Sequence, residues 1–410
     1  MNFDIRNWVR ISLVSLSIVA VLGVLMRYKI GFDFPYFSQK NIQHAHSHFA
    51  FLGWITQTLY VFLVRYITVN TRTSYLRRYR TILACNYICA LGLLVSFFIE
   101  GYGPVSIALS TCSVVIAGFF AFYFFKDLKN IPADNPGKAW FKTAIWFHLF
   151  SSLGTFYLAY IMASHNFNEH WYLASVYFYL HFQYNGFFIF SCLGFAVTKA
   201  PQLLPSFKYN KIIFQLFVLS AIPAYFLSVL WANLPLWLYV IVVIAAFVQL
   251  AGWIKLVIDI HRAAREKNLV TPYLRYLFLF IFIAFTCKLL LQLGSTIPVV
   301  SKMAFGFRPV VIAYLHLVLL AVISAFLLTY MYWLGAIRGR EARIALTLFT
   351  IGIFLNEAAL AVQGAASFIY LPIEYINEIL FVISIILATS AIWLAASQLG
   401  KNRPAADQTL

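Results

Sequence analysis

The sequence predicts an all-α protein, a polytopic membrane helix bundle of about 12 transmembrane helices with both termini cytoplasmic. Three observations carry this. Of 410 residues, 62% are hydrophobic and only 10% charged, with mean hydropathy +0.83. Apolar runs of ~20 residues, enough to cross a bilayer, recur along the whole chain. The basic residues between those runs alternate, with heavy clusters at every second loop.

The runs cover residues 8–27, 43–67, 81–100, 104–125, 140–164, 171–198, 211–231, 234–258, 273–295, 309–334, 343–367 and 376–398. Several are broken by Gly or Pro, which membrane helices tolerate. The first lacks a small-residue cleavage signature and is expected to be a retained helix. No internal repeat or soluble domain is visible, so residues 1–398 read as a single transmembrane domain and 399–410 as a short polar cytoplasmic tail.

The N-terminal end carries Arg6 and Arg10, and the second loop with the end of the run before it carries Arg65, Arg72, Arg77, Arg78 and Arg80. Further clusters are Lys126 to Lys142, Lys199 to Lys211, Lys255 to Arg275, Arg338 to Arg343, and Lys401 with Arg403. Together these hold 24 of the 30 basic residues on one side, which the positive-inside rule makes cytoplasmic. The net charge of +17 therefore belongs to loops and does not imply a nucleic-acid partner; membrane lipid is the expected partner. A bacterial inner membrane is the expected location. Arg27, Lys29, Lys40, Lys302 and Arg308 fall on the outer side, as interfacial anchors or as partners of acidic cofactor groups. The five cysteines lack zinc-site spacing and read as small buried hydrophobes.

The second run opens with Asn41-Ile-Gln-His-Ala-His-Ser-His-Phe-Ala-Phe-Leu-Gly-Trp54, three histidines at alternate positions. On a helix His44 and His48 share one face, while His46 points elsewhere. Ionisable groups inside a span are costly and mark functional sites. His48 lies ~10 Å below the outer end of its helix, and His316 of the tenth run ~10 Å below Pro309. Two imidazoles at matching depth are what a bis-histidine b-type haem needs. His48 leads as ligand; His44 is the second choice for iron or a propionate, and His46 stays open because the helix start is uncertain by a few residues. His181, ~15 Å below Trp171, lies in the polar segment Tyr177-Phe-Tyr-Leu-His-Phe-Gln-Tyr-Asn185. His148 falls near mid-bilayer. Both are candidate ligands of copper or a second haem, or else hydrogen-bonded helix contacts. His165, His170 and His261 are expected at the surface.

Other polar residues fall within spans: Lys288 and Gln292 on one face of the ninth, Asn356 and Glu357 in the eleventh. Lys288 and Glu357 either pair or belong to a proton path. No Cys-x-x-Cys-His motif is present for covalent haem attachment.

On three motifs, His46-Ser-His-Phe-Ala-Phe-Leu-Gly-Trp54, the His181 segment and Tyr314-Leu-His-Leu-Val-Leu319, the chain resembles subunit I of the haem–copper oxidase superfamily, including its nitric oxide reductase and cbb3-like branches. The resemblance extends to twelve spans with both termini inside. It implies a low-spin haem between helices 2 and 10, a copper ligand at His181, and electron transfer or O2/NO-related redox chemistry with a quinol or an electron-donor protein. The family carries His-x-His in helix ten; here Tyr314 replaces the first histidine, leaving a weaker haem ligand. The family's copper-site His-His pair is absent, so an oxidase- or NO reductase-like oxidoreductase activity is in doubt. The chain is also similar to NnrS-like membrane proteins, associated with haem, copper and nitric oxide stress. A proton-coupled transporter without cofactor is the other class that twelve spans allow.

Overall fold

A computed structural model describes residues 5–71, 76–164, 168–266 and 269–399. The polar tail from residue 400, His165, Arg72, Lys267, Lys401 and Arg403 lie outside them. Among the described residues the protein is all-helical. Twelve helices are long and apolar enough to cross a membrane: α1 Ile5–Gly31, α2 Gln39–Thr71, α3 Arg77–Glu100, α4 Pro104–Leu128, α5 Pro136–Ala163, α6 Glu169–Leu203, α7 Lys211–Ala232, α8 Leu236–Glu266, α9 Pro272–Gly294, α10 Arg308–Trp333, α11 Arg340–Phe368 and α12 Ile376–Leu399. A short helix, Pro298–Gly306, precedes α10. Each apolar run becomes one of these helices, with polar turns added at its ends. The longest addition, on α8, is supported by Lys255 bonded to Asp259 one turn on at 2.6 Å.

Local chemistry sets several helix starts. Ser38 caps α2 through Asn41 N, Asn135 caps α5 through Gly137 N, Asn168 caps α6 through Trp171 N, and Thr271 caps α9 through Leu274 N. Proline occupies the first turn of α5 and α9, where its missing N–H costs nothing.

Large apolar side chains lie exposed along most helices, among them Ile88, Ile99, Phe119, Leu219, Trp237, Phe247 and Phe354. A water-soluble monomer does not expose apolar surface on this scale; a bilayer satisfies it, and the chain is an integral membrane protein. Cys85, Cys112 and Cys287 belong to this exposed surface, and only Cys89 and Cys192 are buried. The expectation of five buried thiols is therefore corrected. In a bilayer the outward face is as apolar as the core, so hydropathy does not distinguish them.

The chain forms two compact units, Met1–Phe124 with Ser324–Leu410, and Phe125–Ile323. In the first, α2 is the central element: 78% of its apolar window is buried, against 39% for α1 and α3. In the second, α6 holds that place at 61%. These two helices are also among the least apolar spans. Their polar side chains are tolerated because protein, not lipid, surrounds them.

α2, α6 and α10 share a local departure. Each contains a π-helical stretch: Ala50–Thr56, Phe182–Phe188 and Leu317–Ser324. Gln57 N–H reaches back five residues to Leu52 O, and Ile189 N–H to Tyr184 O. α7 departs differently. It is α-helical to Ala221 and 3-10 from Pro223 to Ala232.

Candidate functional site

All three π-helical stretches begin one or two residues after a histidine: His48 before Ala50, His181 before Phe182, His316 before Leu317. π turns are poorer in energy than α turns and concentrate at functional sites. This signal was invisible in the sequence, because inserting one residue in a helix changes no residue type.

In the first unit the histidines of α2 divide by face, as their spacing predicts. His44 and His48 face α3 and the turn after it. The His48 ring stacks on Phe97 with centroids 4.1 Å apart, and its Nε2 shares a hydrogen bond of 3.2 Å with the Tyr102 hydroxyl. His44 stands edge-on to Tyr102 at 4.6 Å, and its buried Nε2 has no hydrogen-bond partner. Asn41 fixes this end of α2 by donating from Nδ2 to Ile99 O at 3.2 Å.

His46 faces α1. Its Nδ1 lies 3.0 Å from Val19 O, and its Cε1 lies against Gly23. A carbonyl only accepts, so Nδ1 carries a proton. That is the arrangement of a metal-ligating imidazole, whose far N–H is held by a carbonyl.

Deeper along α2, Trp54 Nε1 donates to Ser324 Oγ at 2.9 Å. Gln57 donates to Leu83 O at 3.2 Å and accepts from Asn86 Nδ2 at 2.8 Å. All four side chains are buried. In α11 Glu357 accepts from its neighbour Asn356 at 3.1 Å.

In the second unit, His316 has the ring state of His46. Its Nδ1 donates to Ile312 O at 2.9 Å. Tyr314, two residues before it, is half-buried and near Tyr184.

His181 is different. Its Nε2 donates to Ala221 O at 2.8 Å, and its Nδ1 accepts from Asn185 Nδ2 at 3.1 Å. The Ala221 carbonyl is available because α7 tightens there: Tyr225 N–H bonds Ile222 O, as a 3-10 turn requires, and so bypasses Ala221. His148 accepts from Gln183 Nε2 at 3.0 Å, and Gln183 also donates to Ser151 Oγ at 3.0 Å. His148 and His181 thus sit in separate hydrogen-bonded groups, each built from side chains of α5, α6 or α7. Among the described residues no three His, Cys, Asp or Glu side chains converge as a metal-ligand set. The donors around His181 are amide and carbonyl groups, which do not fit a three-histidine copper centre.

Lys288 and Gln292 are buried one turn apart on α9. Lys288 Nζ has no hydrogen-bond partner among the described residues. His170 and His261 are exposed, as expected.

Neither protein-family models nor curated proteins give a match to this sequence.

Proposed function

We propose that the chain is a haem-binding integral membrane protein acting in electron transfer or O2/NO-related redox chemistry, with b-type haem and with His46 and His316 as its axial-ligand candidates. The observation that carries this is their shared ring state. Both hold Nδ1–H on a backbone carbonyl and direct coordination to Nε2. On this ground His46 leads among the α2 histidines, with His48 and His44, on the other face, as the alternatives.

Bound haem would supply a one-electron Fe(III)/Fe(II) couple. The carbonyls of Val19 and Ile312 would fix ring orientation and raise the basicity of the two imidazoles. The lysines and arginines concentrated on one side support a reading with both termini in the cytoplasm, for which we take a bacterial inner membrane as the location. A quinol or an electron-donor protein would then deliver electrons from within or outside the membrane.

The test is the absorption spectrum of purified protein made with ample haem supply. A split low-spin b-type band is expected. His46→Ala and His316→Ala should each abolish it, and His48→Ala should leave it in place. Colourless wild-type protein, or a band that survives both substitutions, would overturn the proposal.

A further inference from the structure

The second unit contains a buried amine that none of its described residues answers. Lys288 is 0% exposed, and its Nζ has no hydrogen-bond partner. Its only described neighbour of note for a cation is the Phe285 ring, with Nζ 5.5 Å from the centroid. The carboxylates of this unit are Asp127, Asp134, Glu169, Asp259 and Glu266. The first two flank the α4–α5 turn, Glu169 opens α6, Glu266 ends α8, and Asp259 is held by Lys255. None is a partner of Lys288.

Nearby buried polar groups of this unit are incomplete in the complementary sense, as oxygens without donors. Gln292, one turn along α9, has an unpartnered buried Oε1. His181 lies within electrostatic range of Lys288. Asn185, bonded to that histidine, has an unpartnered buried Oδ1. An isolated ammonium in the membrane interior costs several kcal/mol unless a counter-charge accompanies it. Buried polar atoms without partners usually mark a missing water or ion.

We infer that Lys288 anchors a binding site for a small monovalent inorganic anion of halide or nitrite size, with Gln292 as its second contact. The ammonium supplies the charge. The Gln292 amide, turned about its last torsion, presents an N–H donor where its oxygen stood, and the exchange of O and N leaves its outline unchanged. It is independent of the haem proposal, since neither His46 nor His316 takes part.

The experiment measures the thermal unfolding midpoint of the purified full chain in chloride, bromide or nitrite, against gluconate at equal ionic strength. A saturable rise of about 2 °C or more is expected with the small anions. Lys288→Met should remove it. Gln292→Glu, which puts a carboxylate one turn from the ammonium, should raise the midpoint in gluconate and remove the anion response. The chain is strongly basic, so loop residues also collect anions; these two variants separate that contribution. Equal midpoints in chloride and gluconate for the wild type would overturn the site and favour a hydrated neutral amine. A rise undiminished in both variants would overturn it as well.

Discussion

Trp54 and Ser324, 270 residues apart, are joined by a hydrogen bond of 2.9 Å from the indole Nε1 to the hydroxyl. Trp54 lies within the π-helical stretch of α2, and Ser324 closes that of α10. With 1% and 3% exposure, neither has water to fall back on. Trp54→Phe keeps the apolar bulk and removes the donor. It should cost about 1–2 kcal/mol, and Ser324→Ala should cost a similar amount. The double variant should fall short of their sum, and a thermal-unfolding cycle measures the difference.

Gln57 and Asn86 make a second buried pair, at 2.8 Å. Asn86→Leu leaves the Gln57 oxygen without its donor and should destabilise by about 1–3 kcal/mol. Adding Gln57→Leu should recover part of that loss, because an apolar pair leaves one fewer orphaned group. Denaturation midpoints of the two variants, measured in the same detergent, check the order.

At Gly154 α5 lies close against the backbone of α6. A Cβ built there would stand 2.7 Å from Ser175 O and 2.9 Å from Tyr179 N, both backbone atoms that cannot swing away. Gly154→Ala should therefore push the helices apart and cost about 1–3 kcal/mol. Gly118, whose added Cβ meets nothing within 4 Å, is the control: Gly118→Ala should leave stability unchanged or slightly raised.

Pro223 holds the acceptor of His181 in place through backbone geometry. With Pro223→Ala, α7 can continue as α-helix, and Tyr225 N–H then competes for Ala221 O. The His181 Nε2–H bond should weaken. Nitrogen-15 NMR of histidine-labelled protein should show the His181 resonances moving, with those of His46 unchanged.

The class of fold was legible because a bilayer imposes one rule on composition: spans must be long and apolar, and α1 to α12 obey it. The facing of His44 and His48 away from His46 was legible from helical periodicity alone. What stayed hidden depends on backbone hydrogen bonds that no side chain announces. The π turns after His48, His181 and His316 are one such case, and the carbonyl freed at Ala221 is another. Which of the three α2 histidines has the ring state of a ligand turned on the neighbour at Val19, a residue of no distinctive chemistry.

A stretch of π-helix holds a spare residue, and that gives α2, α6 and α10 a slack turn. Deleting one residue from Ala50–Thr56 would return the segment to α geometry. A π turn holds more residues than an α turn, so the shortened segment sweeps nearly the same angle and the histidine end of α2 keeps its face. The buried anchors Trp54, Gln57 and Tyr60 lie at or beyond the stretch, while all three histidines lie before it. The spare residue can thus be removed without dismantling the core that holds the helix. Of the single-residue deletions in this chain, those inside the three π stretches should fold best.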